Sequence, residues 1–279
     1  MADVPVPARA ARAGRASAAG DTWVIARRGL RHMQRQPEAL VDATIQPIMF
    51  VLLFAFVFGG AIGVPGGGSY KEFLMGGIFA QTLVFGAFGV AIALANDRRN
   101  GAIDRFHSLP IARGSVLGGH AVASLIKSLL PIVLMSITGL IIGWRVHTSA
   151  AQVAAAYGLM VAFSFAMVWV GVLLGSVVAT PEAVQGVGFV VIFPLTFIAT
   201  TFVPARSLPE PLRTVAEWNP VSTMSDSLRH LFGNPGGAIH HGGPWPQQHP
   251  IGYTVIWIAA IVLLCAPLAV RWYKRSIAG

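Results

Sequence analysis

Long apolar segments that almost completely lack charged side chains constrain this chain more than any other feature. No Asp, Glu, Lys or Arg occurs in residues 43–70 or in residues 146–181. About 20 apolar residues in a helix cross the ~30 Å hydrocarbon core of a bilayer. Only 11% of the 279 residues are charged, against about 25% in an ordinary soluble domain. The apolar surface must therefore face lipid, and we predict an all-α membrane protein.

Six membrane-spanning helices are predicted, and charged and turn-forming residues set their borders. They lie near residues 44–63, 73–95, 117–144, 151–179, 183–203 and 252–270, within a transmembrane domain at 38–275. The first ends at a glycine-rich turn. Pro194 is expected to kink the fifth.

Two segments of different character precede the first span. Residues 1–20 are rich in alanine and arginine and are predicted to be a disordered cytoplasmic tail, with an arginine-rich transit peptide as the alternative. Residues 21–37 are predicted to form an amphipathic helix with an apolar and an arginine-rich side. Its two faces include Trp23, Arg27, Leu30 and Arg31. Such a helix lies in the membrane surface, or else packs against a partner protein.

The lysines and arginines predict the orientation in the membrane. Seven lie in the N-terminal arm, four in the loop at residues 96–115 and three at the C-terminus. Five, including Arg229, lie in the connections after the first, third and fifth predicted spans. Because basic residues concentrate on the cytoplasmic side, both termini are predicted to be cytoplasmic. Trp144, Trp218 and Tyr253 are then predicted to mark the outer membrane interface.

The loop at residues 96–115 separates the second and third predicted spans and is unusually basic. A short helix from about Gly101 to Leu109 would place Ile103 and Phe106 on one face, and Pro110 would end it. One interpretation is a solvated basic loop. The other is a cytoplasmic docking element that receives a push from another protein.

The external segment before the last span contains apolar residues at helical spacing on both sides of Asn219 and Pro220. Two short amphipathic helices that break at this pair are predicted. They form either a re-entrant hairpin shielded by protein or a pair of helices on the surface, because both arrangements have the same periodicity.

A few residues within the spans are candidates for a transport path. Lys127 is the only charge placed inside a span, where a lysine costs about 2.5–3.5 kcal/mol at the helix centre. It either snorkels to the inner surface or has a partner in the protein interior or along the path. Phe54 and Phe85 either line an apolar cleft or face lipid.

The sequence lacks the residues that several classes of function require. The sequence has no Gly-x-x-x-x-Gly-Lys-Ser/Thr phosphate loop, so hydrolysis of a nucleotide by this chain is not expected. A secondary transporter driven by protons or sodium would need acidic groups within the spans, and a membrane enzyme a clustered catalytic set. The histidines of the last external loop favour a flexible polar segment over a metal site. The basic charge indicates orientation in the membrane rather than binding of nucleic acid.

Three features together resemble the permease subunit of ABC type-2 exporters of the daunorubicin/doxorubicin multidrug efflux kind found in actinobacteria. One is the stretch 97–105 with Ser-Leu-Pro-Ile-Ala-Arg at 108–113 behind it. Another is Phe-Val-Pro at 202–204, followed by Leu-Pro at 208–209, Leu212, Asn219-Pro220 and Arg229. The third is the layout of six spans behind a basic amphipathic helix.

This resemblance implies a homodimer on two copies of a separate ATPase subunit, which would bind the ATP and Mg. The interfacial helix and the loop would touch that ATPase, through Ile103, Asp104, Arg105, Phe106, Leu109 and Arg113. The path would lie between the protomers, with the external hairpin around Asn219 and Pro220 as its outer gate. The implied cargo is an amphipathic drug or natural product leaving a bacterial cell, or alternatively a lipid or glycan precursor.

Overall fold

The structure is a computed structural model, and it describes residues 37–60, 62–64, 67–99, 113–178, 180–237 and 243–278. The predicted tail at 1–20 and, apart from Pro37, the predicted interfacial helix lie outside these ranges, including Trp23, Arg27, Leu30 and Arg31. So do the predicted coupling residues Ile103, Asp104, Arg105, Phe106 and Leu109, whereas Arg113 is described only as the first residue of a helix. These assignments stay predictions.

Helices and their connections make up the whole described part of the chain, which contains no β-strand. In chain order they are α1 (Pro37–Val57), α2 (Tyr70–Arg99), α3 (Arg113–Ile142), α4 (Ala150–Val177), α5 (Pro181–Phe197), α6 (Leu212–Trp218), α7 (Pro220–Phe232), α8 (Trp245–Gln248) and α9 (Pro250–Ala278). A single 3₁₀ turn, Ala205–Ser207, lies between α5 and α6. The predicted all-helical class is confirmed.

Four of the predicted spans have the length and composition to cross a membrane. They are Tyr70–Arg99, Val122–Ile142, Ala150–Val177 and Pro250–Trp272. Ile45–Val57 of α1 and Pro181–Phe197 of α5 are shorter apolar helices within the described residues. These four helices identify the chain as a membrane protein. The total of six spans stays a prediction.

Helix α2 lies at the centre of the bundle, in contact with α1, α3, α4, α5 and α7. It is apolar on all sides, as expected for a helix surrounded by other elements. Helix α4 lies so close that a Cβ added to Gly171 would overlap the carbonyl oxygen of Ala87. Small residues thus bring the two backbones into direct contact.

Helices α3 and α9 lie at the periphery. In the most apolar 18-residue stretches of α3 and α9, 22% and 11% of the residues are buried, compared with 61% in that of α2. Ile141 on α3 and Leu263 on α9 are 79% and 73% exposed. Large contiguous apolar faces of this kind are rare on soluble proteins, and in this protein they are surfaces for lipid or for another apolar partner.

The prediction that Trp144 marks the outer membrane interface is wrong. Its side chain is 1% exposed, and its indole Nε1 donates a hydrogen bond of 2.8 Å to Oδ1 of Asn234. Its ring packs edge-on against Phe232, with 5.1 Å between the centroids. The α3–α4 connection folds over the end of α7, and hydropathy cannot distinguish a tryptophan covered by protein from one covered by lipid headgroups.

Candidate functional site

The predicted helix break at Asn219 and Pro220 is confirmed, because α6 ends and α7 begins there. The side chain of Asn219 is the N-cap of α7, since its Oδ1 accepts a 2.8 Å hydrogen bond from the N–H of Val221. Pro220 occupies the first helical position, where a missing N–H costs nothing. The Nδ2 of Asn219 donates to the carbonyl oxygen of Leu195 at 2.7 Å, which ties the break to α5.

These two hydrogen bonds of Asn219 can be separated by mutation. Asn219→Ala removes both and is expected to lower the free energy of unfolding by about 1–2 kcal/mol. Asn219→Asp keeps the cap acceptor and loses only the donor to Leu195, so its loss should be smaller. Thermal unfolding in detergent measures both variants, and equal stability of Asn219→Ala and the parent protein would contradict the capping role.

Protein surrounds α7 on nearly every side. It contacts α2, α4, α6 and α9, and even its hydroxyl-bearing residues are buried: Ser222, Thr223, Ser225 and Ser227. Ser225 and Ser227 donate hydrogen bonds of 2.8 Å to the carbonyls of Val221 and Thr223, and Ser227 also contacts Oγ1 of Thr254 on α9 at 3.0 Å. A helix on an aqueous surface would expose such a polar face, whereas a helix inserted into the bundle buries it.

Arg229 on α7 is the centre of this buried region and has no exposed surface. Its Nε donates to the carbonyl oxygen of Phe73 at 2.8 Å, and its Nη1 to Oδ1 of Asp226 at 2.8 Å. Its Nη2 donates to the carbonyl oxygens of Thr200 and Thr201 at 2.8 and 3.2 Å. The guanidinium carbon lies 3.7 Å from the ring centroid of Phe73, a cation–π contact.

Sequence reasoning counted Arg229 as an external basic residue and as part of the family resemblance, and it missed this role. Two signals were present: Asp226 lies three residues earlier on the same helical face, and a Gly-Gly pair at 76–77 permits close approach on α2. Burial of an ion costs several kcal/mol unless partners compensate for the lost water, and removal of one partner from a buried pair typically costs about 3–5 kcal/mol. The contacts of Arg229 supply that compensation.

The C-terminal end of α2 is fastened to the neighbouring helices by arginines. Nη1 of Arg98 donates to the carbonyls of Ser176 and Gly175 at 2.9 and 3.3 Å, where the last turn of α4 leaves carbonyls without helical partners. Arg99 forms an ion pair of 3.1 Å with Glu182 at the start of α5. Both of these side chains are largely exposed, so solvent screens the pair strongly. Two arginines of the basic loop thus belong to the end of α2.

The other predicted path residues lie in separate places. Lys127 is half-buried on α3. Phe54 stacks on Phe202 with centroids 4.1 Å apart, whereas Phe85 contacts Phe88 at 5.8 Å. Whether Lys127, Phe54 and Phe85 line a path stays a prediction. Asn219 and Pro220 lie between α6, which is largely exposed, and the buried helix α7.

A family model described as ABC-2 type transporter matches residues 20–232, a range that ends at the last residue of α7. The chain belongs to the ABC-2 type transporter family. The resemblance predicted from the loop at 96–115 and the Asn-Pro hairpin is thereby confirmed. This ABC-2 chain is a multi-pass membrane protein, and its permease-like relatives identify it as a membrane component of a transporter.

Curated relatives of this ABC-2 chain are permeases. The daunorubicin resistance ABC transporter permease protein DrrB1 of Streptomyces coeruleorubidus is 27% identical over 95% of the chain and 90% of its own length. The probable doxorubicin resistance ABC transporter permease protein DrrC of Mycobacterium tuberculosis is 26% identical, with 85% and 82% covered. The inner membrane transport permease YadH of Escherichia coli is 23% identical, with 86% and 91% covered.

Proposed function

We propose that this chain is the permease subunit of an ATP-driven exporter that moves amphipathic drugs or natural products out of a bacterial cell. The observation that carries the proposal is its similarity to a daunorubicin resistance permease over 95% of the chain. In this proposal the chain crosses the plasma membrane six times, with both termini in the cytoplasm.

The energy comes from a separate ATPase subunit, present in two copies, which binds ATP and Mg. The sequence supports this division because it has no phosphate-binding loop. The interfacial helix at 21–37 and the loop at 96–115 contact the ATPase, with Ile103, Asp104, Arg105, Phe106, Leu109 and Arg113 as the coupling residues. The ties of Arg98 and Arg99 to α4 and α5 support this assignment, since they hold the start of the loop against the bundle.

The path runs between this chain and a second copy of itself, and the hairpin formed by α6 and α7 is the outer gate. The burial of α7 by α2, α4 and α9 supports a re-entrant hairpin, because backbone at membrane depth must be shielded by protein. Exposed apolar side chains on α5, such as Phe189 and Val190 at 66% and 75% exposure, provide a surface for lipid or for the second copy.

Two other functions make different predictions. The same architecture could export or flip a lipid or glycan precursor, but a large hydrophilic cargo favours more polar groups along the spans than this chain has. A secondary transporter driven by an ion gradient would need acidic residues within the spans, and no acidic residue of the sequence lies inside a predicted span.

Reconstitution into liposomes tests the proposal. The chain is co-purified with candidate ATPase subunits, and ATP hydrolysis and uptake of daunorubicin into inside-out vesicles are measured with and without the chain. We expect uptake only when the chain, the ATPase and ATP are all present. Uptake by the chain alone under a proton or sodium gradient would contradict the proposal, and flipping of a labelled lipid without drug uptake would favour the alternative cargo.

A further inference from the structure

One face of α2 contacts α7 and the segment after α5 at very short range. Tyr70, Phe73 and Gly77 recur at helical spacing on this face, with Gly76 beside them. A Cβ added to Gly76 would lie 2.8 Å from Cγ of Arg229 and 2.9 Å from the carbonyl oxygen of Ser225. A Cβ added to Gly77 would overlap the carbonyl group of Thr201. At Gly76 the backbone of α2 therefore lies against α7 and the Arg229 side chain, and at Gly77 it lies against the backbone of the segment after α5.

The chain segment that leaves α5 is fastened to the same face. The hydroxyl of Tyr70 donates to the carbonyl oxygen of Phe202 at 3.1 Å. The N–H of Thr200 donates to Oγ of Ser222 on α7 at 2.9 Å. Arg229 of α7 donates hydrogen bonds both to the carbonyl of Phe73 on α2 and to the carbonyl of Thr200 after α5. We call this meeting point of α2, α7 and the segment after α5 the junction. Three segments that are distant in sequence thus meet at one guanidinium group.

Helix α2 is continuous over 30 residues from this junction to Arg99, which corresponds to about 45 Å at 1.5 Å per residue. Its far end begins the loop that the proposed function assigns to the ATPase. A displacement of that end is therefore delivered to the outer junction by a single helix that is packed along most of its length.

We propose that Arg229 is a positioning residue that fastens α7 to α2, so that the outer gate moves together with α2 and does not swing as a separate flap. The proposal rests on the proposed function above. Opening the junction would strip Arg229, which has no exposed surface, of its partners and leave a buried charge unpaired. The junction therefore stays closed while the protein changes conformation.

The first test is the ratio of drug transported to ATP hydrolysed, in liposomes that contain the chain and its ATPase. Arg229→Lys keeps the charge but loses the planar fork that reaches several acceptors at once. We expect this ratio to fall about tenfold, with co-purification of the ATPase unchanged. Gly76→Ala presses on Arg229 from α2 and should lower the ratio in the same direction. Gly86→Ala on the same helix is the control, because its added Cβ meets nothing within 4 Å.

The second test measures the distance between the start of α2 and the outer gate. Spin labels are placed at Ser69, just before α2, and at the exposed Val215 on α6, in a background with Cys265→Ser. The distance distribution between them should be the same in the nucleotide-free and ATP-bound complexes of the parent protein, and should broaden in Arg229→Lys.

Failure of the junction and failure of the proposed function give different results. No ATP-driven transport by the parent protein would overturn the proposed function, and the coupling role of Arg229 with it. Transport by the parent together with an unchanged ratio in Gly76→Ala and Arg229→Lys would overturn the junction alone. A label distance that changes on ATP binding in the parent would also overturn it. If Arg229→Lys fails to assemble, Gly76→Ala decides by the same ratio.

Discussion

Replacement of both Phe106 and Leu109 by aspartate is expected to abolish ATP-driven transport. In the proposed function these side chains form the apolar part of the surface that enters the ATPase. A buried apolar anchor typically contributes about 2 kcal/mol or more to an interface, so the loss of two corresponds to an affinity lower by about a thousandfold. Co-purification of the ATPase with the double variant, at equal expression, measures this directly.

The matched control keeps the apolar character and changes the shape. Phe106→Leu with Leu109→Met should retain at least most of the association, since both substitutions preserve an apolar surface. Normal transport by the aspartate variant would remove the docking hypothesis and would favour the interpretation of residues 96–115 as a solvated basic loop.

Gly171→Val is expected to destabilise the bundle strongly. The new side chain would overlap the carbonyl of Ala87 and lie 2.8 Å from Cβ of Val90, so α2 and α4 would have to separate. Overpacking of a well-packed interior costs about 1–3 kcal/mol, and rigid backbone on the opposing side should place this variant at the upper end, about 3 kcal/mol. Thermal unfolding of the purified protein in detergent measures the change.

Gly158→Val on the same helix is the control for this substitution. Gly158 is exposed, and a Cβ there meets nothing within 4 Å. This variant should therefore unfold within a small margin of the parent protein. Equal unfolding temperatures for Gly171→Val and Gly158→Val would contradict the direct contact between the backbones of α2 and α4.

Features that depend on local sequence were predictable. The break at Asn219 and Pro220 follows from a side chain that caps a helix and a ring that fits its first position. The helical class follows from charge-free segments of membrane length. The ABC-2 family was indicated by a resemblance, carried by the stretch at 97–113, the residues around Asn219-Pro220 and the predicted layout of spans.

The environments of individual residues were not predictable in the same way. Trp144 lies at the end of a predicted span, where an interfacial tryptophan is expected, yet Asn234 and Phe232 cover it. Arg229 contributes one charge to a count of external basic residues, yet it lies without exposure among carbonyls of α2 and the segment after α5. In both cases the environment was missed because hydropathy and charge counts treat each residue as if it met only solvent or lipid.

The amino-acid sequence by itself determined that this protein is a helical membrane protein of the ABC-2 transporter family, with a basic loop between its second and third predicted spans and a break between two short helices before its last helix. Only the tertiary structure decided which residues these two helices touch, and that a single arginine joins α7 to α2 over 150 residues of sequence separation. The physical reason is that periodicity and capping act over one or two helical turns, whereas burial and pairing of a charge depend on which distant segments the packing brings together.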